Sequence, residues 1–355
     1  MRAEAIVDLS AIKHNVALLK GKSGTQLLAV VKADAYGHGL VPVAKAALDA
    51  GASMLGVALL EEAIALREAG ITAPILAWLV QPGSDYKSAI DLDIDLAAGS
   101  IAALHEIQAA STSKKARVHL ELDTGMTRGG FLSEWSQLEA TDVEGLEIVG
   151  VFSHFARADE PSEVQNKLQT ENFEARINDL KEKGITPIRH ISNTAATLSN
   201  QSARFDMVRV GIAMYGLSPL GRDQSLQPVM KVRAKLVLVK EMPANHPIGY
   251  GATAHTKSPT KIGIVGMGYA DGIPRNTNSA AGVTFQGKSA PIIGRVSMDQ
   301  FAVDLGADSN AKTGDWVTVI GENYDAYTWA EACQTIHYEI TTRMAPRIQR
   351  NYINK

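Results

Sequence analysis

The chain has 355 residues, 45% of them hydrophobic and 21% charged, with a formal net charge of −3 and one cysteine. This is the make-up of a soluble globular protein long enough for two cores. It excludes a basic nucleic-acid binder and a membrane-surface protein rich in one sign of charge, and the lone Cys333 excludes an intramolecular disulfide and fits a reducing compartment. The N-terminus MRAEAIVDLSAIKHNVALLK has no apolar signal segment and no small-residue cleavage site. No stretch approaches the roughly 20 apolar residues of a membrane span. A cytoplasmic protein is expected, with no nucleic-acid or membrane partner.

Residues 1–8 alternate weakly and precede a helix expected over Leu9–Leu19, with Ser10 near its N-cap. Short apolar runs then recur at Leu27–Val31, Met54–Ala58, Pro74–Trp78, Ile94–Ala97, Arg117–Leu122, Ile148–Ser153, Ile188–Ile191 and Met207–Val210. Continuous apolar runs of this length suit strands buried on both faces of a parallel sheet. Helical patterns lie between them, at Leu60–Ala69, Ile101–Ala110 and Ser162–Lys183. Eight strands alternating with helices predict an α/β fold, a (β/α)₈ TIM-type barrel over residues 9–220.

The pattern changes after about Leu217. Lys231–Lys240, Lys261–Val265, Gly282–Phe285, Ala290–Ile293, Phe301–Asp304 and Trp316–Ile320 read as short strands separated by Gly and Pro. One helix is expected, over Trp329–Ile336. Residues 221–355 are therefore predicted to be a second, β-rich domain.

A barrel predicts that function lies on the loops that follow its strands. Lys32 stands at the end of the first apolar run, in LLAVVKADAYGHGL. Desolvation at such a rim lowers a lysine's pKa and frees its amine to form a Schiff base. The loops after strands 7 and 8 often hold phosphate in barrels. Here they read Ser192-Asn193-Thr194-Ala195-Ala196 and Gly211-Ile212-Ala213. The first offers a hydroxyl and amide donors opening a helix, and the second offers close backbone approach. Glu121 shares its strand parity with Asp123, which favours a place inside the barrel. GIVGMGYADGIPR, residues 263–275, has spaced glycines but no surrounding βαβ unit, so a dinucleotide site is not expected. His105, His119, His190, His246, His255 and His337 are scattered without ligand spacing, so no metal site is expected.

The strings VVKADAYGHG, DTGM-x-R, HFARADE, HISNTAATL, VRVGIAMYG, GYADG and SMDQ together resemble the alanine racemases, over nearly the whole chain from Val7 to Arg343. That resemblance implies pyridoxal 5'-phosphate (PLP) carried on Lys32, and interconversion of L- and D-alanine that supplies peptidoglycan. It implies two bases on opposite faces of the substrate. Lys32 would serve the α-proton of the D-enantiomer and Tyr269 that of the L-enantiomer. A tyrosine needs cationic or hydrogen-bonding neighbours to act as a base. The resemblance places Tyr36, Asn193, Thr194, Gly211 and Ile212 at the cofactor, and Arg209 against its ring nitrogen with His154 beside it. An arginine keeps its proton, so the ring nitrogen would stay unprotonated and the cofactor would be a weaker electron sink. That favours racemisation over transamination. Arg128 would clamp the substrate carboxylate. Met298 and Asp299 would line the substrate pocket from a partner subunit, in a homodimer with shared sites, and residues 1–8 would join the second domain.

Two positions depart from the family. Glu121 stands where many members carry a carbamylated lysine, and would supply the same negative charge beside Arg128 unmodified. Thr342 stands where many members place a tyrosine at the mouth of the site. Two alternatives stay open at this point. One is a racemase for another amino acid such as serine. The other is a PLP barrel that is not a racemase; Arg209 in place of a carboxylate, and the GYADG domain, argue against it.

Overall fold

The computed structural model describes residues 1–140 and 143–354. It divides into two compact units. One comprises Ser10–Ala35 and Leu40–Gln227, the other Met1–Leu9, Tyr36–Gly39 and Pro228–Lys355.

The first strand, β1 (Ala3–Asp8), belongs to the second unit. The first unit is built on β2 (Gln26–Val30), β3 (Met54–Val57), β4 (Ile75–Ala77), β5 (Ile94–Ala98), β6 (Ala116–Glu121), β7 (Leu146–Phe152), β8 (Ile188–His190) and β9 (Met207–Val210). Each strand pairs in parallel with the one before it, from β2 through to β8. The ring turns back on itself where β9 pairs with β2, Gln26 opposite Met207. Backbone bonds from Asp206 to Arg189 (3.2 Å) and from Arg209 to Ser192 (2.8 Å) join β9 to β8. The eight-stranded barrel expected from the apolar runs is present. All residues of β3, β4, β5 and β9 are buried, which is why these strands lack polar alternation.

Helices follow most strands. Ile101–Ala110 has the expected bounds because Ser100 caps it, accepting the Ala103 N–H at 3.2 Å. The first helix runs Leu9–Ser23, beyond the expected Leu19, and it starts before Ser10. An additional helix, Leu40–Asp49, buries Val43, Ala44, Ala46 and Ala47.

In the second unit β10 (Met230–Met242) is the central strand. The short hairpin β11 (Pro247–Ile248) and β12 (Ala254–His255) follows, then β13 (Thr260–Val265), β14 (Gly282–Phe285), β15 (Lys288–Pro291), β16 (Phe301–Asp304), β17 (Trp316–Ile320) and β18 (Gln349–Ile353). Strand β1 lies between β10 and β18, antiparallel to the first and parallel to the second. The helix expected over Trp329–Ile336 runs instead over Ala326–Cys333, and a further short helix, His337–Thr342, begins just beyond the expected end. Gln334 takes a left-handed conformation (φ 56°) and ends the first of them. No helix among the described residues is long and apolar enough to cross a membrane.

Candidate active site

Lys32 lies one residue beyond β2, after Val31, and is half-buried, with its Nζ 5.8 Å from the centre of the Trp78 ring. Burial lowers its pKa, the Arg128 cation lowers it further, and Glu62 partly opposes both. The expectation of a desolvated amine at a strand end therefore holds in direction.

The backbone after Lys32 is unusual. Ala33, Asp34, Ala35 and Tyr36 all have φ between 52° and 54°, a left-handed turn of four residues that are not glycine. Each costs roughly 1–2 kcal/mol relative to the right-handed form. Fixed partners hold the turn. The Glu62 carboxylate accepts the Ala33 N–H at 2.6 Å and those of Ala58 and Leu59 at 3.0 Å. Asp34 Oδ1 accepts the Leu40 N–H at 2.8 Å. The Tyr215 hydroxyl donates to the Val30 carbonyl at 2.9 Å, just before Lys32. Tyr36 groups with the second unit, where its ring lies 6.2 Å from that of Tyr338 and burial pushes its phenol pKa up.

Arg209, on β9, is buried. Its NH1 donates to the His190 carbonyl (2.7 Å) and to His190 Nδ1 (3.1 Å). Its NH2 donates to the carbonyls of Ser153 (2.7 Å) and Ile191 (3.3 Å) and to His154 Nδ1 (3.1 Å). Those contacts use four of the five N–H donors of a guanidinium. Among the described residues the fifth, Nε–H, has no protein partner. Burial pushes the Arg209 pKa down to about 10, with Glu121 opposing the shift and Arg128 adding to it, so the group stays a cation at neutral pH. His154 is held well below the ordinary imidazole value, first by burial and then by Arg209, Arg128 and Lys32. It is a neutral acceptor.

Glu121 ends β6, half-buried. Burial pushes its pKa up, while Arg128 and Arg209 pull the other way; the net shift is upward. The expected pair with Arg128 is not formed as a direct ion pair among the described residues; the Arg128 cation acts on Glu121 only through space. Gly99 and Gly129 crowd the carboxylate, since a side chain at either would come within 3.3 Å of Glu121 Oε2. Arg128 is exposed and follows a loop that Asp123 organises. Asp123 Oδ1 accepts the N–H groups of Gly125, Met126 and Thr127 at 2.9–3.1 Å.

The two loops expected to hold phosphate are linked. Gly211 N–H donates to Thr194 Oγ1 at 2.9 Å, which leaves the hydroxyl's own proton to donate elsewhere. Asn193 caps the Thr194–Ser199 helix through Ala196 N–H (3.1 Å). Ile212 starts a 3₁₀ turn and is fully buried. Both loops thus open a helical turn, whose first N–H groups have no partner within the turn. Donors for a phosphate, a spare Nε–H for a ring nitrogen and a desolvated lysine amine on one barrel fit PLP.

The remaining predicted residues lie in the second unit. Tyr269, partly exposed, begins a 3₁₀ turn. Its N–H donates to the Ser297 carbonyl at 3.0 Å, and that of Ala270 to the Met298 carbonyl at 2.9 Å, so Tyr269 and Met298 are brought together. Gly268 permits this approach, because a Cβ there would lie 2.4 Å from both carbonyl oxygens. Asp271, fully buried, bonds Gly268 N–H (2.9 Å), Arg2 (2.8 Å) and Arg347 (2.9 Å); Arg347 also reaches Asp299 at 2.7 Å. Thr342 Oγ1 donates within its own helix to the Tyr338 carbonyl at 2.8 Å.

Sequence reading missed Glu62, Asp271, Arg2 and Arg347, which act as supports. It also dismissed His119 and His190 as scattered, yet their ring nitrogens lie 2.9 Å apart. Strand parity was a signal for His119 alone, which shares the parity of Glu121; nothing local ties it to His190.

Comparison with known proteins covers the whole chain. The alanine racemase N-terminal domain profile matches residues 7–219, and the alanine racemase C-terminal domain profile matches residues 229–352. The chain is 43% identical over 366 residues to the alanine racemase of Salinispora tropica, covering 99% of this chain and 98% of that one. It is similar, with a TM-score of 0.97 and 42% identity, to the crystal structure of alanine racemase from D-cycloserine-producing Streptomyces lavendulae, over 100% of this chain and 98% of that one. Alanine racemase from Bartonella henselae with covalently bound pyridoxal phosphate gives a TM-score of 0.93 at 30% identity, over 99% of this chain and 100% of that one.

The upward shift of Glu121 has a testable sign. A carboxylate whose folded pKa is raised costs the fold stability above that pKa, and the cost is relieved as pH falls through it. Glu121→Gln should therefore lose turnover yet melt no lower than wild type in neutral buffer, and its relative gain should shrink on acidification. Bicarbonate should not restore its turnover. Thermal melts across pH with parallel rate assays check this. A variant with full turnover, or a wild type that needs bicarbonate, contradicts it.

Proposed function

The chain belongs to the alanine racemase family, and from that premise we propose that it works through two bases, Lys32 and Tyr269, contributed by different subunits of a homodimer. Its reaction is the PLP-dependent interconversion of L- and D-alanine. The observation that best supports this site assignment is the buried Arg209, whose guanidinium keeps only Nε–H for a ligand, on the same barrel as a lysine of lowered pKa.

Bound PLP supplies an electron sink that acidifies the α-hydrogen of the amino acid. Lys32 Nζ holds the cofactor and exchanges the α-proton of D-alanine. Tyr269 Oη exchanges that of L-alanine from the opposite face. One group removes a proton while the other returns one. Arg209 Nε–H, left over from its protein contacts, would donate permanently to the ring nitrogen, and His154 orients the guanidinium. Thr194 and the open N–H groups of the turn that begins at Ile212 would hold the phosphate, with Asn193 and Gly211 shaping the two loops. Arg128 binds the substrate carboxylate, and the half-buried Glu121 offsets its charge without modification. Met298 and Asp299 border the substrate beside Tyr269. Cofactor binding thus falls to the barrel and the second base to the β-rich unit. D-alanine from a cytoplasmic enzyme of this kind feeds peptidoglycan.

Borohydride reduction of the yellow protein followed by peptide mapping should place a pyridoxyl group on the peptide containing Lys32. Label on another lysine overturns the assignment.

Subunit exchange tests the shared site. Lys32→Ala and Tyr269→Phe should each be inactive. In a mixed dimer one site collects both defects and the other none. Random pairing makes about half the dimers mixed, so activity should recover to about a quarter of the wild-type sites. No recovery after proven exchange means that both bases come from one chain.

A further inference from the structure

The barrel interior contains a polar path that the reaction described above does not use. Asp95 on β5, His119 on β6 and His190 on β8 are 2%, 1% and 0% exposed, and they connect end to end. The donor inventory fixes the direction of every bond. Arg209 can only donate. Its NH1 lies 3.1 Å from His190 Nδ1, so that nitrogen carries the lone pair and the ring proton sits on Nε2. His190 Nε2 lies 2.9 Å from His119 Nδ1, which must accept. The His119 proton therefore sits on its own Nε2, 3.3 Å from Asp95 Oδ2. At the far end Arg117 donates to both carboxylate oxygens, Nε to Oδ1 at 2.7 Å and NH2 to Oδ2 at 3.3 Å. A second proton on either imidazole would set two donors face to face.

The surroundings are shaped around this path. Strand register between β6 and β7 shifts between Val118 and His119, which re-aims the histidine. Opposite His119 stands Gly150, where a Cβ would lie 2.0 Å from His119 Nδ1. Phe152 stacks on His190 with 5.2 Å between centroids and 9° between planes, and the Arg209 guanidinium lies 5.5 Å over the same ring. Burial, then the Arg209 cation, holds His190 well below the ordinary imidazole value. Asp95 is disfavoured as an anion by burial, but its hydrogen bonds from His119 and Arg117 outweigh that and lower its pKa.

We propose that Asp95, His119 and His190 form a one-way hydrogen-bond chain through the barrel that positions Arg209 and balances its buried charge. They are positioning residues for the ring-nitrogen contact assigned to Arg209, and the inference rests on that assignment. The carboxylate at one end polarises both imidazoles toward the guanidinium at the other, as coupled buried hydrogen bonds do. Arg209 is thereby held by NH1 and NH2, with its Nε–H left without a protein partner among the described residues.

The test is nitrogen-15 NMR of histidine-labelled full-length protein, with and without PLP, alongside kinetics of Asp95→Asn. Both His119 and His190 should be neutral with the proton on Nε2. Asp95→Asn should lower kcat about ten-fold, the scale of losing an outer-shell partner, with KM changed less than about two-fold and the pH titration of the visible cofactor band shifted. Protonation of either wild-type ring at Nδ1 overturns the proposal. So does an Asn variant with wild-type kcat and an unmoved band. Should that variant fail to fold, the wild-type spectrum decides. Because the spectrum can be read without PLP, a cofactor found on another lysine overturns the site reading and leaves this result to stand separately.

Discussion

A guanidinium buried where the barrel closes is the constraint on which the site depends. Arg209 cannot shed its proton, and an uncompensated buried charge costs several kcal/mol. The fold meets that cost with acceptors from two strand ends: the carbonyls of Ser153, His190 and Ile191, and the neutral rings of His154 and His190. These partners explain several features together. The strands β7 and β8 must end where their carbonyls turn toward β9. Both histidines must be neutral, which burial beside a cation ensures. Glu121 must be tolerated as a half-buried carboxylate, and its raised pKa records the strain of that placement.

The lysine side of the site is organised by a different constraint. Four successive left-handed residues follow Lys32, a conformation that L-residues avoid. Strain of this kind persists where surrounding bonds over-determine it, and it gathers at functional sites. The Glu62 carboxylate supplies such bonds, joining the first amide of the turn to the loop after β3. The same carboxylate opposes the fall in the Lys32 pKa, so its position balances backbone support against amine reactivity.

The barrel was legible because its strands are buried on both faces and so read as unbroken apolar runs. Helix bounds were legible where a cap marks them, as Ser100 does, and illegible where a left-handed residue such as Gln334 ends a helix without a glycine. Lys32, His154, Asn193 and Arg209 could be singled out because each sits at the end of an apolar run or just beyond it. The left-handed turn was hidden, since Ala33, Ala35 and Tyr36 avoid positive φ and only Asp34 tolerates it. The pairing of His119 with His190 was also hidden. Their separation of 71 residues has no local period, and they meet only because a barrel curves β6 and β8 toward one interior. Asp271 was part of a recognised string, but its partners Arg2 and Arg347 lie at opposite ends of the chain.

On the proposed site, a permanently protonated donor at position 209 decides between racemisation and amine transfer. Measuring racemisation of L-alanine and amine transfer to pyruvate side by side, in wild type and in Arg209→Glu, tests it most directly. The Glu variant should lose racemisation by orders of magnitude and gain in the share of turnovers ending in amine transfer. A Glu variant that racemises at the wild-type rate, with no added amine transfer, would contradict it.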